Sequence, residues 1–241
     1  MKGVIPAAGR GTRLEPMTLA IPKELLIVGD KAIIEYVTEA MKSVGIIDIT
    51  VIVGWRKHAI LDYLGSGERL GVKLTYVVQD TRDGLAKAVL TTEHVIGDEP
   101  FLVILGDNFF YPQTFLKEIL AFHKTKKADA TIGVAEIEDP TRHGIIKPGT
   151  DNRIIDMVEK PQPKDAPSNL GIIGVYVFTS AIFNAIKKTK PGVNGEYQLT
   201  DAIKILIDDG YKVYYTTING KHIDIGTMAD LKKANLFLSK Q

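Results

Sequence analysis

Residues 4–13 read Val4-Ile5-Pro6-Ala7-Ala8-Gly9-Arg10-Gly11-Thr12-Arg13. Val4 and Ile5 form a short apolar strand that Pro6 and a loop of small residues bring to an end. Two alanines and two glycines leave backbone N–H groups open to close approach by an anion. Arg10 and Arg13 add guanidinium donors to the same loop. Lys23, in Ile21-Pro22-Lys23-Glu24, adds another cation. Two rival phosphate motifs do not fit: the third position of a dinucleotide fingerprint falls on Leu14, and no Gly-Lys-Ser/Thr follows four spacers.

The pattern around this loop sets the fold class. Ile33, Val37, Met41 and Val44 recur at helical spacing, and Gly45 provides a stop. Ile49–Val53, Leu74–Val78, Phe101–Leu105 and 130–134 read as strands. Segments 60–64, 86–95 and 114–126 read as the helices between them. Strands alternating with helices predict a mainly parallel sheet covered on both faces. Beyond Glu136 the pattern becomes short paired strands at 144–147 and 153–158, then a longer strand at 171–178. Helices at 180–187 and 198–208, a strand at 212–218 and a helix capped by Thr227 complete the chain.

The totals exclude several classes. Thirty Lys and Arg against 29 Asp and Glu give a net charge of +1, which points to neither nucleic acid nor an anionic membrane. There is no cysteine, so disulfides, thiolate metal sites and a cysteine nucleophile are ruled out. No apolar run reaches membrane-helix length, and the N-terminus leaves no room for a signal peptide, so a cytoplasmic protein is expected.

Two acids stand out. Asp107, in Leu105-Gly106-Asp107-Asn108, follows an apolar strand and is placed to hold a hard divalent cation beside the first loop. Asp224, in Ile223-Asp224-Ile225-Gly226, is a lone acid in an apolar stretch, costly to bury without a cation or strong hydrogen bonds. Together they make a metal pair.

Gly-x-Gly-Thr-Arg, Pro22-Lys23, Gln79 with Asp83-Gly84-Leu85-Ala86, Leu-Gly-Asp-Asn, Val158-Glu159-Lys160-Pro161 and Ile223-Asp224-Ile225-Gly226 follow one another as in sugar-1-phosphate nucleotidyltransferases. From Lys2 to about Leu236 the chain resembles the short glucose-1-phosphate thymidylyltransferases and uridylyltransferases. The resemblance implies a Rossmann-like α/β three-layer sandwich with a mainly parallel mixed sheet and a small sugar-binding β lobe. It implies one domain, 1–241, with a nucleotide-binding part at about 1–136 and a sugar-binding part at about 137–226.

By resemblance, Ala7, Ala8, Gly9, Gly11, Thr12 and Arg13 hold the nucleotide triphosphate with Lys23 beside it, and Gln79 and Gly84 meet the pyrimidine edge. Asp107 and Asp224 bind Mg2+, while Gly144, Glu159, Lys160 and Tyr176 hold the sugar phosphate. Arg13, Lys23, Asp107, Lys160 and Asp224 form the implied catalytic set. The implied reaction joins dTTP or UTP to glucose 1-phosphate and releases pyrophosphate. Alternatives are N-acetylglucosamine 1-phosphate as acceptor, or a non-catalytic nucleotide-sugar sensor. The implied partners are these small molecules and further copies of the chain, with no nucleic acid and no membrane. Three departures stand out: Ala8 where the thymidylyl members have glycine, as in the uridylyl branch, His143 for tyrosine, and the pair His222-Ile223 for tryptophan-leucine. Because helix 227 onward lies near the end, a C-terminal β-helix domain is not expected.

Overall fold

A computed structural model of the chain describes residues 1–240. The first half contains β1 (Lys2–Ala7), α1 (Met17–Ala20), the hairpin β2 (Ile27–Val28) and β3 (Lys31–Ala32), α2 (Ile33–Ser43), β4 (Asp48–Val53) and α3 (Lys57–Leu64). Then come β5 (Lys73–Val78), α4 (Leu85–Leu90), α5 (Glu93–Ile96), β6 (Phe101–Ile104), β7 (Asn108–Tyr111), α6 (Phe115–Lys126) and β8 (Ala130–Glu136). The rest comprises β9 (Gly144–Pro148), β10 (Ile154–Glu159), β11 (Leu170–Phe178), α7 (Ala181–Lys188), α8 (Leu199–Asp208), β12 (Val213–Thr217), β13 (Lys221–Asp224) and α9 (Met228–Leu238).

The main sheet runs β10-β9-β11-β6-β1-β4-β5, with β8 on the other edge of β11 and β12 beside β8. Strands β6, β1, β4 and β5 are mutually parallel, as are β8 and β12, while β11 runs antiparallel to β6, β8 and β9. The expected mainly parallel, mixed α/β sandwich is therefore the observed one. Alternation along the strands explains the layers. Val4 and Val103 face a core completed by Val89, Phe183, Ile186 and Ile203 from α4, α7 and α8. Ile5, Leu102 and Ile104 face the opposite core with Ile34, Val37, Ile60 and Leu116 from α2, α3 and α6. Each fully buried side chain of this size contributes roughly 1.5–3 kcal/mol against solvent exposure. No helix among the described residues is long and apolar enough to cross a membrane.

Two local expectations are corrected. The first strand does not end at Pro6 but continues to Ala7, pairing Pro6 with Ile52 of β4. Pairing of β1 with β6 stops at Val4, so the missing proline N–H interrupts no ladder on that side. The expected 86–95 helix is broken: Thr91 and Thr92 turn their hydroxyls onto the carbonyls of Ala88 and Val89, at 2.6 and 2.7 Å. Such back-bonding competes with the helical ladder, and α4 ends at Leu90.

A third element was not anticipated. The residue after Asp107 begins β7, which pairs antiparallel with β13 in a separate ribbon that sets Asn108 opposite Asp224. Leu26, Val28, Phe109, Ile223, Ile225, Leu231 and Ala234 form a small core beneath the β2–β3 hairpin and α9. This ribbon carries the C-terminal segment to the mouth of the main sheet.

Candidate active site

Two cavities open beyond the carboxyl ends of the parallel strands, the usual ligand side of such a sheet. The first, about 300 Å³, is lined by Ala8, Gly9, Lys23, Glu24, Gln79, Arg82, Gly84 and Asp107 among others. The second, about 240 Å³, is lined by Asn108, Arg142, His143, Gly144, Glu159, Lys160, Tyr176, Thr200, His222 and Asp224 among others. Leu85, Leu105 and Glu196 line both, so the two are halves of one cleft.

The first cavity presents a fixed amide edge. Gln79 is buried, and its Nε2 donates to Asp83 Oδ1 at 3.1 Å and to the Gly84 carbonyl at 3.2 Å. Both partners are acceptors, which fixes the amide orientation and leaves Oε1 as an acceptor. Gly84 has φ 115°, and a Cβ there would collide with the Tyr197 backbone, so only glycine lets this loop lie so close. On the opposite wall, Glu24 is 1% exposed and its Oε2 has no hydrogen-bond partner among the described residues. Burial, aided by Asp107 and opposed by Lys23, pushes its carboxyl up to about 7.

The two acids meet where the cavities join. Asp107 lines the first cavity and Asp224 the second, and the Ile225 N–H donates to the Asp107 carbonyl at 3.0 Å. Lys23 Nζ donates directly to Asp107 Oδ2. Burial pushes the Lys23 ammonium down, but Asp107, Glu24 and Asp224 outweigh that and hold it above its ordinary value. Burial, and then the Asp107 charge, pushes Asp224 up to about 7, with Lys23, Arg13 and Arg142 opposing. Arg13 lies beside this pair: a Cβ on Gly226 would come within 2.8 Å of its guanidinium. Two hard carboxylates that repel each other in a partly desolvated junction fit a divalent cation such as Mg2+, which keeps water and substrate oxygens as its remaining ligands. No group of three or more His, Cys, Asp or Glu able to hold a metal occurs among the described residues.

The second cavity is assembled by side chains from α4, β7, β10, β11, α8 and β13, with the Gly144 backbone of β9 between them. Glu159 Oε2 accepts from Thr200 Oγ1 at 2.6 Å, and its Oε1 lies 3.3 Å from Lys160 Nζ. Gly144 is buried against this pair, with room for no Cβ: Thr200 Oγ1 would be at 2.8 Å. Asn108 Nδ2 donates to the Ile173 carbonyl at 2.7 Å, across the bulge where Gly174 takes φ 71°. Its Oδ1 lies 3.3 Å from His222 Nε2, which therefore carries the proton. Burial, reinforced by His143, pushes His222 down to about 3, and burial also lowers His143. Tyr176 stacks on Phe178 with centroids 5.5 Å apart, and burial raises its phenol. The cavity thus offers neutral rings, the Glu159, Glu196 and Asp224 carboxylates and the Lys160 and Arg142 cations.

The structure brings Ala8, Gly9, Lys23, Gln79, Gly84 and Asp107 to one cavity and Gly144, Glu159, Lys160, Tyr176 and Asp224 to the other. Ala7 is buried in the core at the end of β1, and Gly11, Thr12 and Arg13 line neither cavity. Thr12–Leu14 form a single helical turn that sends Arg13 toward Gly226. Sequence reasoning missed Glu24, Asn108, Arg142, Gln198 and Thr200 as lining residues. Glu24 had a visible signal, an acid set against Leu25 and Leu26, and Asn108 stood within the Leu-Gly-Asp-Asn motif; Arg142 had none, because surface polar residues share its local pattern.

A profile of the nucleotidyl transferase family matches residues 2–241. A low-salt glycan biosynthesis nucleotidyltransferase, Agl11 of Haloferax volcanii, is 36% identical over 236 residues, 98% of this chain and 65% of that protein. A UTP–glucose-1-phosphate uridylyltransferase of Mycoplasma genitalium is 39% identical over 268 residues, 98% of this chain and 90% of that protein. A glucose-1-phosphate thymidylyltransferase of Streptomyces griseus is 34% identical over 98% of this chain and 65% of that protein. This chain therefore spans just under two thirds of the Haloferax and Streptomyces relatives. Among solved structures, a UDP-glucose pyrophosphorylase complexed with UDP-glucose superposes with a TM-score of 0.92 at 33% identity, covering 100% of this chain and 99% of that one. With the matching profile, the matching fold and relatives above 30% identity along nearly its whole length, the chain belongs to the nucleotidyl transferase family.

Proposed function

We propose that this chain transfers the uridylyl group of UTP to glucose 1-phosphate, giving UDP-glucose and pyrophosphate. The observation that carries the reading is the Asp107–Asp224 pair at the junction of two chemically different cavities. The first cavity takes the nucleotide and the second the sugar phosphate, which corresponds to a nucleotide-binding part at about 1–136 and a sugar-binding part at about 137–226. The division is one of emphasis: Glu196 reaches the first cavity, and Leu85, Leu105 and Asn108 reach the second.

The Gln79 Oε1 acceptor suits uracil N3–H and opposes cytosine, whose N3 is itself an acceptor. The Gly84 backbone lies against the same edge. The unpartnered Glu24 Oε2 is placed to accept from a ribose hydroxyl, and a ribonucleotide carries one more than its deoxy counterpart. That favours UTP over dTTP.

The sugar phosphate is its own nucleophile. A phosphomonoester with a second pKa near ~6 is largely dianionic at neutral pH, so no protein base is required. Its oxygen forms a bond to the α-phosphorus while the bond to the β-phosphate breaks, and pyrophosphate leaves on the opposite side. Lys160 and Arg142 orient the incoming phosphate, and Glu159, fixed by Thr200, accepts from sugar hydroxyls. Arg13 and Lys23 offset the charge building on the leaving side. Asp107 and Asp224 are the residues that would hold Mg2+, which when bound would supply charge neutralisation for the transferring phosphates.

The test is pyrophosphate release by the purified protein with Mg2+ and glucose 1-phosphate, comparing UTP, dTTP, CTP, ATP and GTP. UTP should give the highest kcat/KM and dTTP the next. Silence with all five, while nucleotide still binds, would replace this reading with a non-catalytic sensor.

A further inference from the structure

Trp55 is the chain's only tryptophan. It stands in the loop after β4, and that loop is pressed against the first loop of the chain. The Trp55 N–H donates to the Ala8 carbonyl at 3.3 Å, and a Cβ on Gly54 would fall 2.9 Å from the same oxygen. The indole Nε1 donates to the Thr18 carbonyl at 3.2 Å, so the ring is fixed at both ends.

Three guanidinium groups from three different loops gather on this ring. Arg10, after β1, lies 5.1 Å from the ring centroid; Arg56, after β4, lies at 5.4 Å; Arg82, after β5, lies at 5.9 Å. All three distances are within cation–π range. Arg56 is held with φ 49°, a left-handed backbone that non-glycine residues seldom adopt and that marks functional loops. Arg10 has one acid, Glu15, at 3.6 Å. Arg56 and Arg82 have no carboxylate at ion-pair distance among the described residues. Three like charges therefore converge with one counter-charge, on a platform whose Arg82 also lines the first cavity alongside Gly9. The arrangement suits a compact polyanion arriving at the Arg82 side of that cavity.

We infer that Trp55 with Arg10, Arg56 and Arg82 forms a docking site for a pyrophosphate group, either the terminal phosphates of the nucleotide or the released product. The inference rests on the reading of the first cavity as the nucleotide side. It adds a second cationic station to Arg13 and Lys23, which sit at the carboxylate junction. A pyrophosphate freed at the junction then has a second place to bind.

The platform carries its own reporter. With Mg2+ present and no other substrate, inorganic pyrophosphate titrated into the whole protein should change tryptophan emission saturably. Orthophosphate and sulfate at matched ionic strength should change it much less. The double variant Arg56→Gln/Arg82→Gln should raise the Kd for pyrophosphate at least about tenfold, the loss expected from two charge-assisted contacts. Its KM for pyrophosphate in the reverse reaction should rise in step, with KM for UDP-glucose unchanged. A melting temperature equal to wild type separates this from unfolding, and Arg56→Lys/Arg82→Lys should recover part of the affinity. A matching rise in KM for UTP in the variant assigns the site to the bound nucleotide as well; a rise for pyrophosphate alone assigns it to the product. Equal responses to all three anions, or a variant with unchanged pyrophosphate Kd and KM values, would overturn the inference. Those results stand apart from the proposed reaction, because emission reports binding whether or not turnover occurs.

Discussion

The two cavities are built on opposite principles. The first is framed by loops that follow parallel strands, and much of its lining comes from residues in short local motifs. The second is framed by side chains from six elements, several meeting only through antiparallel pairings between distant segments. Local chemistry specifies the first; the tertiary arrangement specifies the second. The carboxylate pair belongs to neither alone, since Asp107 comes from the parallel sheet and Asp224 from the β7–β13 ribbon.

The largest expected effect lies at that junction. Asp224→Asn should lower kcat by about 10²–10³-fold, the scale of losing one preorganised electrostatic contact to the transition state. Its melting temperature should exceed that of wild type, because the substitution removes a buried charge repelled by Asp107. Asp107→Asn should lose activity similarly but melt lower, since it strips Lys23 of its direct partner. If both variants melt alike, the two acids do not differ as the junction geometry requires.

A somewhat smaller effect distinguishes the first cavity. The Glu24 carboxyl titrates near 7 in the fold against an ordinary 4.5. As pH rises from about 4.5 to about 7, the unfolded chain loses this proton first, so the group's contribution to stability falls across that window and stays constant above it. The loss amounts to about 3 kcal/mol. Urea unfolding at about pH 5 and about pH 8 should therefore show a smaller pH difference in Glu24→Gln than in wild type. Equal differences would mean that Glu24 is solvated or partnered in the free protein.

The remaining two predictions test whether the cavities act independently. Gln79→Ala should reduce the UTP-over-CTP preference by about 10- to 100-fold in kcat/KM and leave KM for glucose 1-phosphate unchanged. Thr200→Val frees Glu159 Oε2 and should raise KM for glucose 1-phosphate by about 3- to 10-fold with KM for UTP unchanged. Steady-state kinetics with each substrate varied in turn decides both, and cross-effects of similar size would merge the two cavities into one cooperative site.

The same division explains what could be read from the chain. Val4-Ile5, Ile49–Val53 and Phe101–Leu105 announce buried parallel strands because burial on both faces demands uninterrupted apolar runs. The Pro6 and Thr91–Thr92 errors were local ones, where a ladder that had already ended or a hydroxyl turned onto the backbone outweighed the usual rule. Glu24 went unassigned because adjacency to Lys23 makes it read as half of a solvated pair, whereas the fold buries it and leaves one oxygen unpartnered. Thr200 and Arg142 carry no pattern that by itself assigns them to a site, and the Leu-Gly-Asp-Asn motif does not say which wall Asn108 joins. Only the bulge at Gly174 and the placement of α8 against β10 give them a shared wall.

By itself, the sequence determined the layered α/β class, the small-residue loop after β1 and the place of Asp107 and Asp224 as candidate metal acids, because periodicity and motif spacing are properties of contiguous residues. Candidate roles for Gln79 and Glu159 came only through the family resemblance. The tertiary structure decided that Asp107 and Asp224 stand side by side between two cavities, that Lys23 is spent on Asp107, and that three arginines share Trp55. Those facts depend on strand register and loop apposition between segments far apart in the chain, and electrostatic energies depend on such distances rather than on order in sequence.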